Sequence, residues 1–167
     1  MINKMKTINT EQALKRLAKY CSHAERCIFD ICKQMSHWDI SANEQEKIIQ
    51  KLQKENFLNE ERYCQAFVNR KIKHNNFQGI HKIKYELEQK KIPQNLIQQA
   101  LSQINHQETC EQLEKLLENK RKTIKGNTDY EINQKLIRFA YQRGFSIEDI
   151  EFTIKNSPSL SKGYKIS

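Results

Sequence analysis

The sequence predicts an all-α protein, an elongated, right-curving or similar array of three tandem three-helix repeats with about nine helices in total. Only four glycines and two prolines interrupt 167 residues that are rich in Lys, Glu, Gln, Leu and Ile, a composition typical of long helices joined by short turns. Apolar residues recur at spacings of three and four and seldom alternate with period two, which favours helices over strands. A junction between helices also recurs along the chain.

This junction is an apolar residue followed by a residue that starts helices well. The first two copies begin 52 residues apart and the last two 53 apart, and the copies are Ile40-Ser41, Ile92-Pro93 and Phe145-Ser146. Because each module of such an array contacts mainly its neighbours, the repeat predicts an elongated and curved molecule. The predicted segments are a flexible N-terminal segment at 1–9, three-helix repeats at 10–58, 59–105 and 106–156, and a disordered tail at 157–167.

Capping signals set the predicted helix starts. A serine at the N-cap accepts a hydrogen bond from the first turn, and a glutamate three residues later reaches back to the cap. This pattern predicts helix starts at Ser22, with Glu25, and at Ser41, with Glu44. Further starts are predicted at Thr10, Asn59, Pro93 and Ser146, and Gly144 suits a left-handed C-cap.

A basic stretch is the best candidate for binding a partner. Residues 70–91 carry seven Lys/Arg and two Glu, a net charge of +5 out of +9 for the whole chain. Such a charge fits nucleic acid or an acidic protein surface. The candidate contact residues are Lys71, Lys73, His74, Lys82, Lys84, Lys90 and Lys91. The alternative is an inert, solvated helix face, since Lys82–Glu86 and Lys84–Glu88 can pair at i, i+4.

The motif that leads into this stretch resembles the RecX family of bacterial regulators. The matching residues are Glu60-Glu61, Arg62-Tyr63, Phe67-Val68, Arg70, Gly79, Glu86-Leu87 and Lys91-Ile92, and weaker similarity extends over roughly residues 10–156. Two departures are Cys64 or Gln65 where the family usually has alanine, and Lys91 where it usually has the glycine of a KGI turn. The motif residues to which we assign structural roles are Glu60, Glu61, Tyr63, Phe67, Arg70 and Gly79.

The resemblance implies both a fold and a function. RecX-like proteins are built as three tandem three-helix units, bind the RecA recombinase filament on DNA, lie along its helical groove, and limit filament growth and strand exchange. The chain would then be a regulatory protein of DNA repair, recombination and the SOS response, with the RecA filament as partner and DNA contacted directly or through the filament. Two alternatives stay open: a direct DNA- or RNA-binding helical module, and a helical interaction scaffold without nucleic acid.

The basic residues that end the first motif helix are predicted to differ. Arg70 follows Tyr63 by seven residues and Phe67 by three, which places it on the apolar face. Because an unpaired buried charge is costly, Arg70 is predicted to be at least half buried and bonded to a carboxylate or to helix-end carbonyls. Lys71 and Lys73 are predicted to be free for a partner.

Catalytic and metal-binding patterns are absent from the sequence. It lacks Gly-rich phosphate loops, H-E-x-x-H and G-x-S-x-G, so neither an enzyme nor a cofactor is predicted. The five histidines have no carboxylate at metal-ligand spacing, and the five cysteines, without a C-x-x-C pair, are predicted to be reduced apolar residues rather than metal ligands. With no apolar segment of membrane length and no signal peptide, we expect a cytoplasmic monomer. Trp38 is predicted to cover a small core.

Overall fold

Helices make up the structure, a computed structural model that describes residues 8–73 and 77–162. Within these two ranges there are nine α-helices and no sheet, which confirms the predicted all-α class and the tandem three-helix repeats. The helices are α1 Thr10–His23, α2 Ile28–Met35, α3 Ala42–Lys54, α4 Glu60–Lys73, α5 Ile80–Gln89, α6 Gln94–Ser102, α7 His106–Arg121, α8 Asp129–Gln142 and α9 Ile147–Asn156. None of these helices has the length and apolar character needed to cross a membrane.

Two compact units divide the chain, and neither corresponds to a single repeat. One unit contains the residues up to Phe67 together with Leu87–Gln98, and the other contains Val68–Glu86 and the residues from Gln99 onward. Helices α4 and α5 therefore contribute one end to each unit. The predicted repeat bounds and the elongated, curved shape stay predictions.

The first unit has its core between α1, α2 and α3. The buried side chains of this core are Ile8, Ala13, Leu17, Cys21, Ile31, Met35, Ile40, Ile48, Leu52 and Leu58. Removing apolar side chains of this size from water is the main favourable contribution to folding. Trp38 packs against the same core, as predicted. The prediction of a flexible segment at residues 1–9 is wrong at Ile8, because its side chain is buried in this core.

The second helix begins later than the capping pattern predicts. Helix α1 continues through His23, and the Ser22 hydroxyl donates to the Lys19 carbonyl oxygen at 2.8 Å instead of capping a new helix. Helix α2 begins at Ile28, whose amide donates to Glu60 Oε1 at 3.2 Å. A carboxylate from later in the chain thus occupies the positive end of the α2 dipole, a place that local sequence could not reveal.

The other predicted helix starts agree closely with the structure. Ser41 forms the predicted capping box ahead of α3, and the side chains of Asn59 and Ser146 accept backbone hydrogen bonds at the starts of α4 and α9. The first helix is capped by Asn9 rather than by Thr10, because the Asn9 side-chain oxygen accepts an amide hydrogen bond of 2.8 Å from the first turn. Local hydrogen-bonding chemistry therefore sets most helix starts.

The second unit has its core between α7, α8 and α9. Its buried side chains are Phe77, Leu113, Leu117, Leu136, Ala140, Phe145, Ile150, Ile154 and Leu160. The prediction of a disordered tail is wrong for residues 157–162, because Leu160 is fully buried in this core. The Asn133 side-chain amide also donates to the Lys162 carbonyl oxygen at 3.1 Å, which holds the same segment.

Candidate partner-binding surface

Helix α4 buries the aromatic part of the motif. Tyr63, Cys64, Phe67 and Val68 are at most 6% exposed, and the Tyr63 and Phe67 ring centroids lie 5.9 Å apart. The buried face follows positions i, i+1, i+4 and i+5, a stripe typical of a helix that packs along one side. Burial raises the pKa of the Cys64 thiol to about 11, so Cys64 serves as a small apolar side chain.

Arg62 connects the start of α4 by hydrogen bonds to the segment before α2 and to the residues that follow α3. Its Nε atom donates to Glu25 Oε1 at 2.9 Å, and its Nη2 atom donates to the Asn56 carbonyl oxygen at 3.0 Å. Asn56 follows α3 with a left-handed φ of 61°, which asparagine tolerates better than most residues. The motif includes Arg62, but the sequence did not reveal this partner because Glu25 lies 37 residues away along the chain.

Glu60, from the acidic pair of the motif, also has a partner within the first unit. Its carboxylate accepts the hydrogen bond from the Ile28 amide that begins α2. Burial raises the pKa of Glu60, and the Ile28 hydrogen bond lowers it in part. Its neighbour Glu61 is exposed. The two acidic residues therefore differ in exposure, and Glu60 connects α4 to α2.

The environments of Arg70 and Lys71 differ from those that the sequence predicts. Arg70 is exposed, against its predicted burial, but it is not free of interactions within the chain. The Lys71 side chain is only 22% exposed and its Nζ atom lies 2.6 Å from Glu86 Oε2, so the prediction that Lys71 is free is also wrong. The reason is the position of the buried stripe, which includes Cys64 and Val68. At about 100° per residue, Lys71 lies near the middle of that stripe and Arg70 at its edge.

Gly79 precedes α5 at a point where two backbone segments touch. A Cβ atom on Gly79 would lie 2.2 Å from the carbonyl carbon of Gly144, much closer than real Cβ atoms come to other atoms. The Gly79 amide donates to the Arg143 carbonyl oxygen at 2.8 Å, and the His81 amide donates to the Gly144 carbonyl oxygen at 3.1 Å. Gly79 therefore has a structural role that only a residue without a side chain can fill.

The turn after α5 places its two lysines differently. Lys90 Nζ pairs with Asp30 Oδ1, whose side chain is only 12% exposed, and it also lies 5.3 Å from the centroid of the Phe29 ring. Lys91 is exposed and has a left-handed φ of 57°, a conformation in which glycine is the usual residue at a helix end. Lys90 thus stabilises the first unit, whereas the Lys91 side chain points to solvent.

The remaining candidate contact residues differ in exposure. Lys73 and Lys84 are exposed and Lys82 is partly buried, while His74 lies outside the described residues. Across residues 8–73 and 77–162, the ammonium groups of Lys73 and Lys91 have no ion pair or hydrogen bond. These two cations are therefore open to a partner.

An aromatic groove lies beside part of the basic stretch. His81, Lys82 and Tyr85 line it from α5, and Tyr141 and Ile147 line it from α8 and α9, around a volume of about 620 Å³. Tyr85 and Tyr141 are 60% and 61% exposed. Tyrosine offers apolar area with a polar tip, which makes it common in binding surfaces. The sequence did not predict this groove because residue spacing does not show which tyrosines stay exposed.

One histidine has a carboxylate partner that residue spacing does not reveal. His106 Nε2 lies 2.7 Å from Asp149 Oδ1, and Cys110 Sγ lies 3.8 Å from His106 Nδ1. The sequence shows no carboxylate at metal-ligand spacing from a histidine, and this pair does not contradict that, because 43 residues separate His106 from Asp149 and only the fold brings them together.

Two family models match this chain. Residues 59–101 match the second three-helix domain of RecX, and residues 107–154 match the third three-helix domain of RecX. The two matched segments together span more than half of the 167 residues. They correspond to α4–α6 and to α7–α9.

Curated relatives carry the same family name. The regulatory protein RecX of Clostridium botulinum (strain Eklund 17B / Type B) is 32% identical over 113 residues, which cover 66% of this chain and 52% of that protein. The regulatory protein RecX of Leuconostoc mesenteroides is 26% identical over 143 residues, which cover 86% of this chain and 53% of that protein. The chain thus spans about half the length of these curated relatives.

Solved structures share the fold. A crystal structure of a regulatory protein RecX aligns with a TM-score of 0.79 and 24% identity, covering 86% of this chain and 72% of that one. The crystal structure of RecX from Lactobacillus salivarius aligns with a TM-score of 0.76 and 21% identity, covering 92% of this chain and 97% of that one. At these identities the similarity establishes the fold alone. The family models and the curated relatives add the sequence relationship, and this chain belongs to the RecX family.

Proposed function

We propose that this chain binds RecA recombinase filaments on DNA, as a monomer, and limits filament growth and strand exchange. The observation that carries the proposal is the match of two successive RecX three-helix domains, over residues 59–101 and 107–154. Tandem helical repeats present many separate weak contacts, which suits a partner that is itself a repeating array. The role requires no catalysis, and it places the chain in the cytoplasm with the DNA.

The exposed part of the basic stretch supports this function. We assign the cationic contacts to Lys73, Lys82, Lys84 and Lys91, and we keep His74, which lies outside the described residues, as a candidate from the sequence alone. Lys71 and Lys90 contribute indirectly, because carboxylates of α5 and α2 already balance their charges and hold their helices in place. Exposed lysines attract phosphates and acidic side chains and raise the rate of association.

The aromatic groove complements these charges. Tyr85 and Tyr141 supply apolar contact area next to Lys82, and burial of aromatic side chains commonly provides much of the affinity of a protein interface. A partner that contacts both the lysines and the tyrosines is held by charge and by apolar area at the same time. This combination favours a protein filament that carries DNA over bare DNA.

Co-sedimentation with preformed filaments tests the proposal. The chain is mixed with RecA filaments on single-stranded DNA that are held by a non-hydrolysable nucleotide, with the same DNA alone, and with RecA alone. We expect retention on filaments at physiological salt and much weaker retention on DNA alone. Equal retention on bare DNA that falls steeply as salt rises would instead support the direct nucleic-acid-binding alternative. The absence of retention on either would support a scaffold with another partner.

A further inference from the structure

Three side chains with different metal-binding atoms converge in the third repeat. His106 is the first residue of α7, Cys110 follows one turn later on the same face, and Asp149 lies in the first turn of α9. Their ligand atoms all lie within 4.8 Å of one another. His106 Nε2 is 2.7 Å from Asp149 Oδ1 and 4.0 Å from Cys110 Sγ. The nitrogen, oxygen and sulfur atoms thus surround one point.

Exposure differs among the three side chains in a way that leaves one side open. Cys110 is 6% exposed and the Asp149 side chain 19%, whereas the His106 side chain is 69% exposed. The buried Thr153 hydroxyl lies beside the thiol, and their contact partly offsets the rise in the pKa of the Cys110 thiol.

We propose that His106, Cys110 and Asp149 bind a zinc ion, with water in the fourth, solvent-facing position. One imidazole, one thiolate and one carboxylate are a ligand set that zinc accepts and that magnesium and calcium do not favour. Zinc binding at this place would connect the start of α7 directly to the start of α9.

The distances require only small adjustments. Tetrahedral zinc with bonds of about 2.0–2.3 Å separates an imidazole nitrogen from a carboxylate oxygen by about 3.3 Å and from a thiolate sulfur by about 3.6 Å. The His106–Asp149 distance of 2.7 Å must therefore lengthen, and the His106–Cys110 distance of 4.0 Å must shorten. Each change is about 0.6 Å or less and falls on the exposed imidazole at the helix start.

The protons balance in this binding step. The ion forms bonds to His106 Nε2, Cys110 Sγ and an Asp149 oxygen, and the thiol proton leaves to water. Burial and the nearby Asp149 carboxylate raise the pKa of the Cys110 thiol, which keeps it protonated when no cation is near. A bound divalent cation supplies the positive charge that stabilises the thiolate.

Cobalt titration of the full chain tests the site, because thiolate-bound Co²⁺ absorbs light and Zn²⁺ displaces it. The chain is first reduced and treated with chelator. We expect one Co²⁺ per chain, displacement by Zn²⁺, and an unfolding temperature that rises with zinc concentration. Cys110→Ser, His106→Gln and Asp149→Asn are each expected to weaken binding on the order of tenfold or more.

Matched controls separate this site from others in the chain. Cys32→Ser changes the exposed cysteine of α2, and His81→Gln changes a histidine of α5; both are expected to bind Co²⁺ like the parent. No thiolate absorption at millimolar Co²⁺, or equal binding by all five variants, would overturn the proposal. Because the readout uses no recombinase, its result is independent of the function proposed above.

Discussion

The end of α4 and the turn after α5 each carry two lysines that are close in sequence. In each region, only one of them pairs with another of the residues that the structure describes. At the end of α4, Lys71 pairs with a carboxylate of α5, while Lys73 is exposed. After α5, Lys90 pairs with a carboxylate of α2, while Lys91 is exposed. The position of a lysine relative to the buried helix face, and not the local charge density, thus determines whether it is available to a partner.

The two regions also differ in how deeply the paired carboxylate lies. The side chain of Asp30, the partner of Lys90, is 12% exposed, whereas that of Glu86, the partner of Lys71, is 29% exposed. Removing one member of an ion pair costs more when the charge left behind is shielded from water. The effects of substitution should therefore be larger after α5 than at the end of α4.

The largest expected effect is at Lys90. Lys90→Ala is expected to lower the free energy of unfolding by about 2 kcal/mol, because it leaves the shielded Asp30 carboxylate unpaired. Lys91→Ala removes the same charge from the next residue and is expected to change stability by less than about 0.5 kcal/mol. Urea unfolding measures the change in the free energy of unfolding for each variant. Equal losses in the two variants would contradict the distinction between them.

A smaller effect of the same kind is expected at the end of α4. Lys71→Ala should lower the free energy of unfolding by about 1 kcal/mol, since Glu86 keeps better access to water than Asp30 does. Lys73→Ala serves as the matched control and should stay within about 0.5 kcal/mol of the parent. If Lys73→Ala is the more destabilising of the two, the buried stripe of α4 has been placed wrongly.

The backbone at Lys91 allows a stabilising change. A lysine with a left-handed φ of 57° is strained by its Cβ atom, and glycine at this helix end removes that strain. Lys91→Gly should therefore raise the free energy of unfolding by about 0.5 kcal/mol, after the greater freedom of glycine in the unfolded chain is counted. Lys90→Gly, one residue earlier, should destabilise instead. A destabilised Lys91→Gly variant would show that the lysine side chain itself is needed for folding.

The smallest effect concerns Glu60 and depends on pH. Its raised pKa means that the folded chain holds the carboxyl proton more tightly than the unfolded chain does. The contribution of Glu60 to stability is thus fully present below the unfolded pKa and is lost as pH rises through the folded pKa. Glu60→Gln, whose amide oxygen can still accept from Ile28, should lose less stability than the parent between about pH 4 and 7. If the free energy of unfolding of Glu60→Gln changes with pH in the same way as that of the parent, the burial of this carboxyl group is contradicted.

Much of the fold could be predicted because it depends on local chemistry. Short segments of sequence are enough to specify three of its features, and the structure contains each of them: the apolar spacing, the Ser41 capping box and the left-handed Gly144. The start of α2 could not be predicted, because its amide bonds to Glu60, 32 residues further along. The order of residues 157–162 was missed because one apolar side chain, Leu160, outweighs a polar composition.

The candidate surface was only partly predictable. Charge density singles out residues 70–91 as a candidate, but the partners of Lys71 and Lys90 come from other helices and cannot be found from i, i+4 spacing. The burial of Arg70 was wrongly predicted because Tyr63 and Phe67 alone suggest a stripe whose centre Cys64 and Val68 shift by roughly 50°. Which polar and aromatic side chains face solvent is a property of packing, and no single segment specifies it.

Inhibition of RecA strand exchange by charge-reversal variants tests the central claim most directly. The Lys73→Glu, Lys91→Glu variant changes the two open cations, and Lys19→Glu, Lys47→Glu makes the same change of charge at exposed residues outside the stretch. We predict that the first variant requires on the order of tenfold more protein for half inhibition, with unchanged unfolding by urea, and that the second inhibits like the parent. Equal inhibition by both variants at physiological salt would contradict the claim that the exposed lysines contact the filament.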